Sequence, residues 1–195
     1  MLLVFNPLSI KSLSELLRDF DTPSDISTAL RFSHSLLLIP DNTEDPIHIF
    51  HKSFPDFLMN PERCTDKRFL VDPPVHHTEL LFSCLDLMKK RLKRNICNLD
   101  DHAVLSEVRD LSTRKKSHMG GALEYACQFW TRHLVNIPSS GCNTEEVRKA
   151  IDEFFTKYLL FWIEVLTIMG NLGVGVYAIN DIRQWHISVS YKEFF

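Results

Sequence analysis

A mainly α-helical chain with one small β-hairpin is the fold class that the sequence predicts, on three observations. Four stripes of apolar residues recur at helical spacing beyond residue 74, two short capped segments stand near the start, and between them lies one pair of apolar runs flanking a turn. With 195 residues, 45% of them hydrophobic and 24% charged, the chain has ordinary globular usage and room for one domain or two small ones. Disorder is excluded. The net charge of −3 supplies no general pull toward nucleic acid or anionic lipid, which excludes a basic scaffold protein.

The apolar start Met1–Phe5 stops at Asn6-Pro7 with no basic segment before it, too short for a secretory signal. Tyr158 to Met169 is greasy but carries Glu164 and falls below the roughly 20 residues that cross a bilayer. No membrane span and a cytoplasmic location are therefore expected. The five cysteines, Cys64, Cys84, Cys97, Cys127 and Cys142, are odd in number and form no CxxC pair, so reduced and mostly buried thiols are expected, with no metal site.

Ser9 is placed to cap a helix bearing Ile10, Leu13, Leu16 and Leu17, with a break at Asp21. A second helix starts at Thr22-Pro23-Ser24-Asp25, where Thr22 caps, Pro23 suits the first turn and Asp25 favours the positive end of the helix. Ser35–Ile39 and Ile47–Phe50, separated by Pro40 to Pro46, then read as a β-hairpin. Two helices followed by a hairpin are the parts of a winged helix, assigned to residues 1–59. Residues 60–74 are polar, charged and proline-bounded, and are assigned as a linker.

Residues 75–195 are assigned to a helical domain, an irregular bundle or stacked array. Its stripes are Leu81-Cys84-Leu85-Met88-Leu92; Ala122-Ala126-Phe129-Trp130-His133; the longest, Val147-Ile151-Phe154-Tyr158-Phe161-Val165-Met169; and Val174-Ala178-Ile182-Trp185-Val189. Ile137–Gly141 and Gly170–Gly173 read as connectors. Trp130, Trp162 and Trp185 lie on or beside these stripes and read as core.

Candidate chemistry is sparse. GxxxxGK[ST] occurs nowhere, and the glycine clusters at Gly120-Gly121 and Gly170 to Gly175 lack the strand and lysine that phosphate cradling needs. GxSxG, HExxH and HxE with CxxC are also missing, and tandem His76-His77 has the wrong spacing for two ligands on one helical face. No enzyme and no cofactor are expected of this chain alone. The run Lys89–Arg94 falls at a helix C-terminus, where cations complement the dipole, and reads as a solvated face. His51, after an apolar strand, reads by itself as structural.

The segment Ile49–Leu58 closely resembles the F-x-H-x-S-F-x-[DE]-F-L signature that ends the winged-helix domain of NACHT-type signal-transducing (STAND) NTPases, relatives of the NOD-like receptors. Pro61–Cys64, Phe69–Asp72, Tyr125–Trp130 with His133-Leu134, and Leu160–Leu166 resemble the region after the NACHT domain in the large fungal branch. The resemblance implies a NACHT ATPase ahead of this region, WD40 or ankyrin repeats behind it, and a role in non-self recognition and programmed cell death. It further implies that His51 reaches the β-phosphate of ADP held by that ATPase, so ADP/ATP belong to the full-length protein. Neither ATPase nor repeats lie within these 195 residues, and Met1–Phe5 stands where a first winged-helix helix is expected, so the sequence reads as an N-terminally truncated fragment.

Three readings follow. The first is a nucleotide-sensing winged helix joined to a helical arm that transmits domain rotation, partnered by the ATPase and the repeats. The second is a truncated decoy or scaffold that assembles as a homo- or hetero-oligomer. The third, a DNA-binding winged helix, has the wrong sign: four basic against eight acidic residues leave −4 over Met1–Leu58, and the hairpin tip is acidic too.

Overall fold

A computed structural model describes residues 2–17, 22–138 and 144–190; the break at Asp21, the end of the first connector and Cys142 lie outside the described residues. The first helix, α1, runs over Ile10–Leu16, and Ser9 caps it by accepting the Ser12 amide on Oγ at 3.1 Å. The second, α2, covers Pro23–Leu30, with Asp25 accepting the Thr22 amide at 2.9 Å. Strands β1, Leu37–Leu38, and β2, His48–Ile49, pair antiparallel with Leu37 opposite Ile49 and Leu38 opposite His48. A bridge between Ser9 and Pro46 adds the residues entering α1 to the other edge of this hairpin, and the Ile47 amide donates to the Leu8 carbonyl. Alternation along the pleat turns Leu37 inward, where it is buried, and leaves Leu36, Leu38, His48 and Phe50 exposed on the outer face.

After the short helix α3, Ser53–Leu58, the polar stretch expected as a linker is tied down by its own turns: Cys64 is buried and the Val71 amide donates to the Leu58 carbonyl. Helix α4 then spans Pro73–Arg91, its two prolines in the first turn where no intrahelical donor is needed. A single 3₁₀ turn, Leu105–Glu107, precedes α5, Leu111–His118, and α6, Gly120–Val135. The chain closes with α7, Thr144–Lys157, α8, Leu159–Met169, and α9, Leu172–Ser190. The third apolar stripe is thus two helices rather than one. Tyr158 leaves the helix with φ −121° and ψ −8°, and α8 turns so that Trp162 is buried and its Nε1–H donates to the Cys127 carbonyl on α6 at 2.9 Å.

Helix α6 is the hub, packing against α1, α4, α5, α8 and α9. The buried side chains of α1 and β1 belong to the same apolar cluster as those of α4, α6, α8 and α9. The missing first helix suggests that Leu13, Leu17 and Leu30 are partly uncovered; Leu17 and Leu30 are half-buried, but Leu13 is only 2% exposed. The close approach of α1 to α6 explains this, and Gly121 permits it: a Cβ there would lie 2.8 Å from Ser12 Oγ. Trp130, Trp162 and Trp185 are core, as their stripes suggest, and Cys64, Cys84, Cys97 and Cys127 are free and buried. The run at the end of α4 is less solvated than expected. Arg91 donates to Glu15 and to the His118 and Met119 carbonyls, and Lys89 pairs with Glu153.

Candidate functional site

His51 stands at the junction of β2 and α3, where the chain leaves an extended strand and must satisfy the first amides of a six-residue helix. It does so itself: Nδ1 accepts the Ser53 amide at 3.1 Å and lies 2.8 Å from Ser53 Oγ, whose hydroxyl donates to the same nitrogen. Because Nδ1 is an acceptor, the ring hydrogen resides on Nε2. The side chain is exposed, and Nε2 has no partner among the described residues. The result is one N–H donor held in a fixed direction at the surface. Beside it lie the exposed outer face of the hairpin and, on α3, Phe57, whose ring is 5.6 Å from the Arg63 guanidinium. Lys52, next in sequence, is exposed and serves as the N-terminal flank of α3.

A second cluster of imidazoles joins two residues that the sequence presents only separately. His77 on α4 and His133 on α6 are both buried, with Nδ1 atoms 2.9 Å apart, and His133 Nε2 lies 2.8 Å from the Tyr125 hydroxyl. Phe5 covers both rings, at 6.1 Å from His77 and 4.9 Å from His133. Burial, with His77 and Arg132 nearby, holds the His133 imidazole down to about 3, and burial also lowers His77. His133 stands out in sequence as a position of an apolar stripe and of a family motif, but its partner is 56 residues away. Among the described residues no group of three or more His, Cys, Asp or Glu side chains could hold a metal ion, and no helix is long and apolar enough to cross a membrane.

No protein-family model matches the chain, and no solved structure matches it. Among curated proteins it is similar to a fungal one, Vegetative incompatibility protein HET-E-1 of Podospora anserina, at 22% identity over 205 residues. The match covers 92% of this chain and 14% of that protein's length. It supports a distant link to the fungal family that the sequence motifs resemble, and fits a signalling role in general.

Proposed function

We propose that this chain is the regulatory and signal-transmission module of a fungal NACHT-type signalling NTPase. Residues 1–59 act as its winged helix, residues 60–74 as the join, and residues 75–195 as the arm that carries rotation onward. The pairing of strands around α1 and α2, with the Ser9–Pro46 bridge as a third edge, supports the winged-helix reading. The observation that carries the function is the division of labour within His51: one nitrogen caps α3 while the other presents its hydrogen outward beside an apolar strand face. That is the arrangement a phosphate of ADP would need, with the apolar face seated against the ATPase domain that holds it. Hydrogen bonds to charged groups contribute roughly 1.5 to 3 kcal/mol, enough to bias a two-state switch about ten- to a hundred-fold.

The test uses a chain joined to its ATPase domain, with ADP dissociation and thermal stability measured on the same variants. His51→Ala is expected to release ADP about ten-fold faster or more and to raise basal signalling, whereas Lys52→Ala leaves both near the parent. Since His51 also caps α3, a lowered melting point with an unchanged ADP off-rate would reduce its role to the cap. A second reading, assembly with further copies or relatives, is favoured by the apolar stripe Leu172, Val176, Ile179 and Ile187 exposed along α9. Co-purification with a full-length family member tests it.

A further inference from the structure

Tyr125, His133 and His77 form a buried hydrogen-bond chain with two links. The Phe5 amide donates to Tyr125 Oη at 3.3 Å, and the same oxygen lies 2.8 Å from His133 Nε2. His133 and His77 share one hydrogen between their Nδ1 atoms, 2.9 Å apart, with either ring as the donor. Every link holds one hydrogen. His133 is bonded through both ring nitrogens, so an added proton on it places a second hydrogen in one of its two links and sets two donors face to face.

The surroundings offer such a charge no relief. From α4, His76 faces His77 but is bonded to Glu79; from α6 come the Tyr125 phenol and the Arg132 guanidinium, which lies 4.2 Å from the Phe5 ring centre. The Cys84 thiol borders Tyr125. Among the described residues no carboxylate bonds either ring.

What keeps water out is Phe5, stacked on His77, His133 and Phe129. Phe5 precedes the anchor at Leu8, whose carbonyl is tied to the hairpin, and its neighbours Leu3 and Val4 are only half-buried. Lifting this short segment is thus the smallest opening that hydrates the imidazoles. We propose that Phe5 on the His77–His133 pair is an acid-released latch, which holds residues 2–7 against α4 and α6 at neutral pH and frees them on acidification.

The sign follows from linkage. Both histidines titrate lower when docked than the ordinary 6.5, so the docked state binds fewer protons than the open one. Docking is fully favoured above about pH 6.5 and weakens up to about ten-fold per histidine for each pH unit below it.

Hydrogen–deuterium exchange on the full chain at pH 7.5 and 5.5, corrected for intrinsic rates, tests this. Protection of residues 2–9 is expected to fall about ten-fold or more at pH 5.5, while residues 144–169 stay unchanged. Phe5→Ala should remove that protection at both pH values, and His77→Gln with His133→Gln should abolish its pH dependence. Should the double variant fail to fold, the imidazole ring-proton resonances of the parent serve instead, and are expected to titrate in step with the loss of protection. Unchanged protection of residues 2–9 in the parent, an equal loss across residues 144–169, or a pH effect persisting in the folded double variant would overturn the latch.

Discussion

Trp130 and Trp162 touch edge to face at 5.9 Å and are both buried, yet their indole nitrogens fare differently. Trp162 donates to the Cys127 carbonyl, whereas Trp130 Nε1 is buried without a partner. Burying an unmatched donor costs about 1–3 kcal/mol, so replacing it with a ring that lacks the donor recovers part of what the lost volume removes. Trp162→Phe is therefore expected to destabilise by about 2–3 kcal/mol and Trp130→Phe by about 1, as read from urea unfolding midpoints at constant slope. Helical spacing sufficed to assign both tryptophans to the core, because burial depends on which face a residue occupies. Their hydrogen bonding was not legible, because it depends on a carbonyl 35 residues away in one case and on none in the other. His51 shows the same boundary. Its position between strand and helix could be read from the order of residues, but the assignment of one nitrogen to the cap depends on the turn geometry at Lys52 and Ser53.

At the scale of elements, the joint between α1 and α6 is decided by one missing methyl group. Gly121 has an ordinary helical backbone, so alanine there would by propensity gain up to about 1 kcal/mol, but its Cβ would meet Ser12 Oγ at 2.8 Å. Gly121→Ala is expected to destabilise by about 1–2 kcal/mol in the parent. In a Ser12→Ala background the nearest remaining contact is the Ser12 Cβ position at 3.9 Å, and the same substitution becomes neutral or stabilising. A double-mutant cycle followed by thermal unfolding measures that coupling, and strict additivity would contradict it. Gly170 differs, since it ends α8 in the left-handed region at φ 73° with nothing near its missing Cβ. Gly170→Ala should cost about 1 kcal/mol through backbone strain alone, in any background. Elements with a sharp local signal were legible: the Ser9 cap, the Thr22–Asp25 start, the hairpin and four apolar faces. The division of the third stripe at Tyr158 was not, because the apolar spacing runs on through the break. What interrupts it is the demand of Trp162 for a place against α6.

For the molecule as a whole, the continuous apolar cluster from α1 to α9 predicts a single cooperative unfolding transition that includes the N-terminal helices. Tryptophan fluorescence and far-ultraviolet dichroism should give coincident curves, and an early separate loss of helix signal would contradict this. The net charge of −4 over residues 1–58 predicts no submicromolar, salt-sensitive affinity for duplex DNA, measured by anisotropy titration. The close contact of α1 with α6 has a mechanical meaning as well. Packed side chains resist sliding and transmit strain, so a torque applied to the outer face of the hairpin reaches the centre of the bundle with little slack. A joint packed in this way is stiff, so a load on the hairpin is shared with the helices gathered around α6.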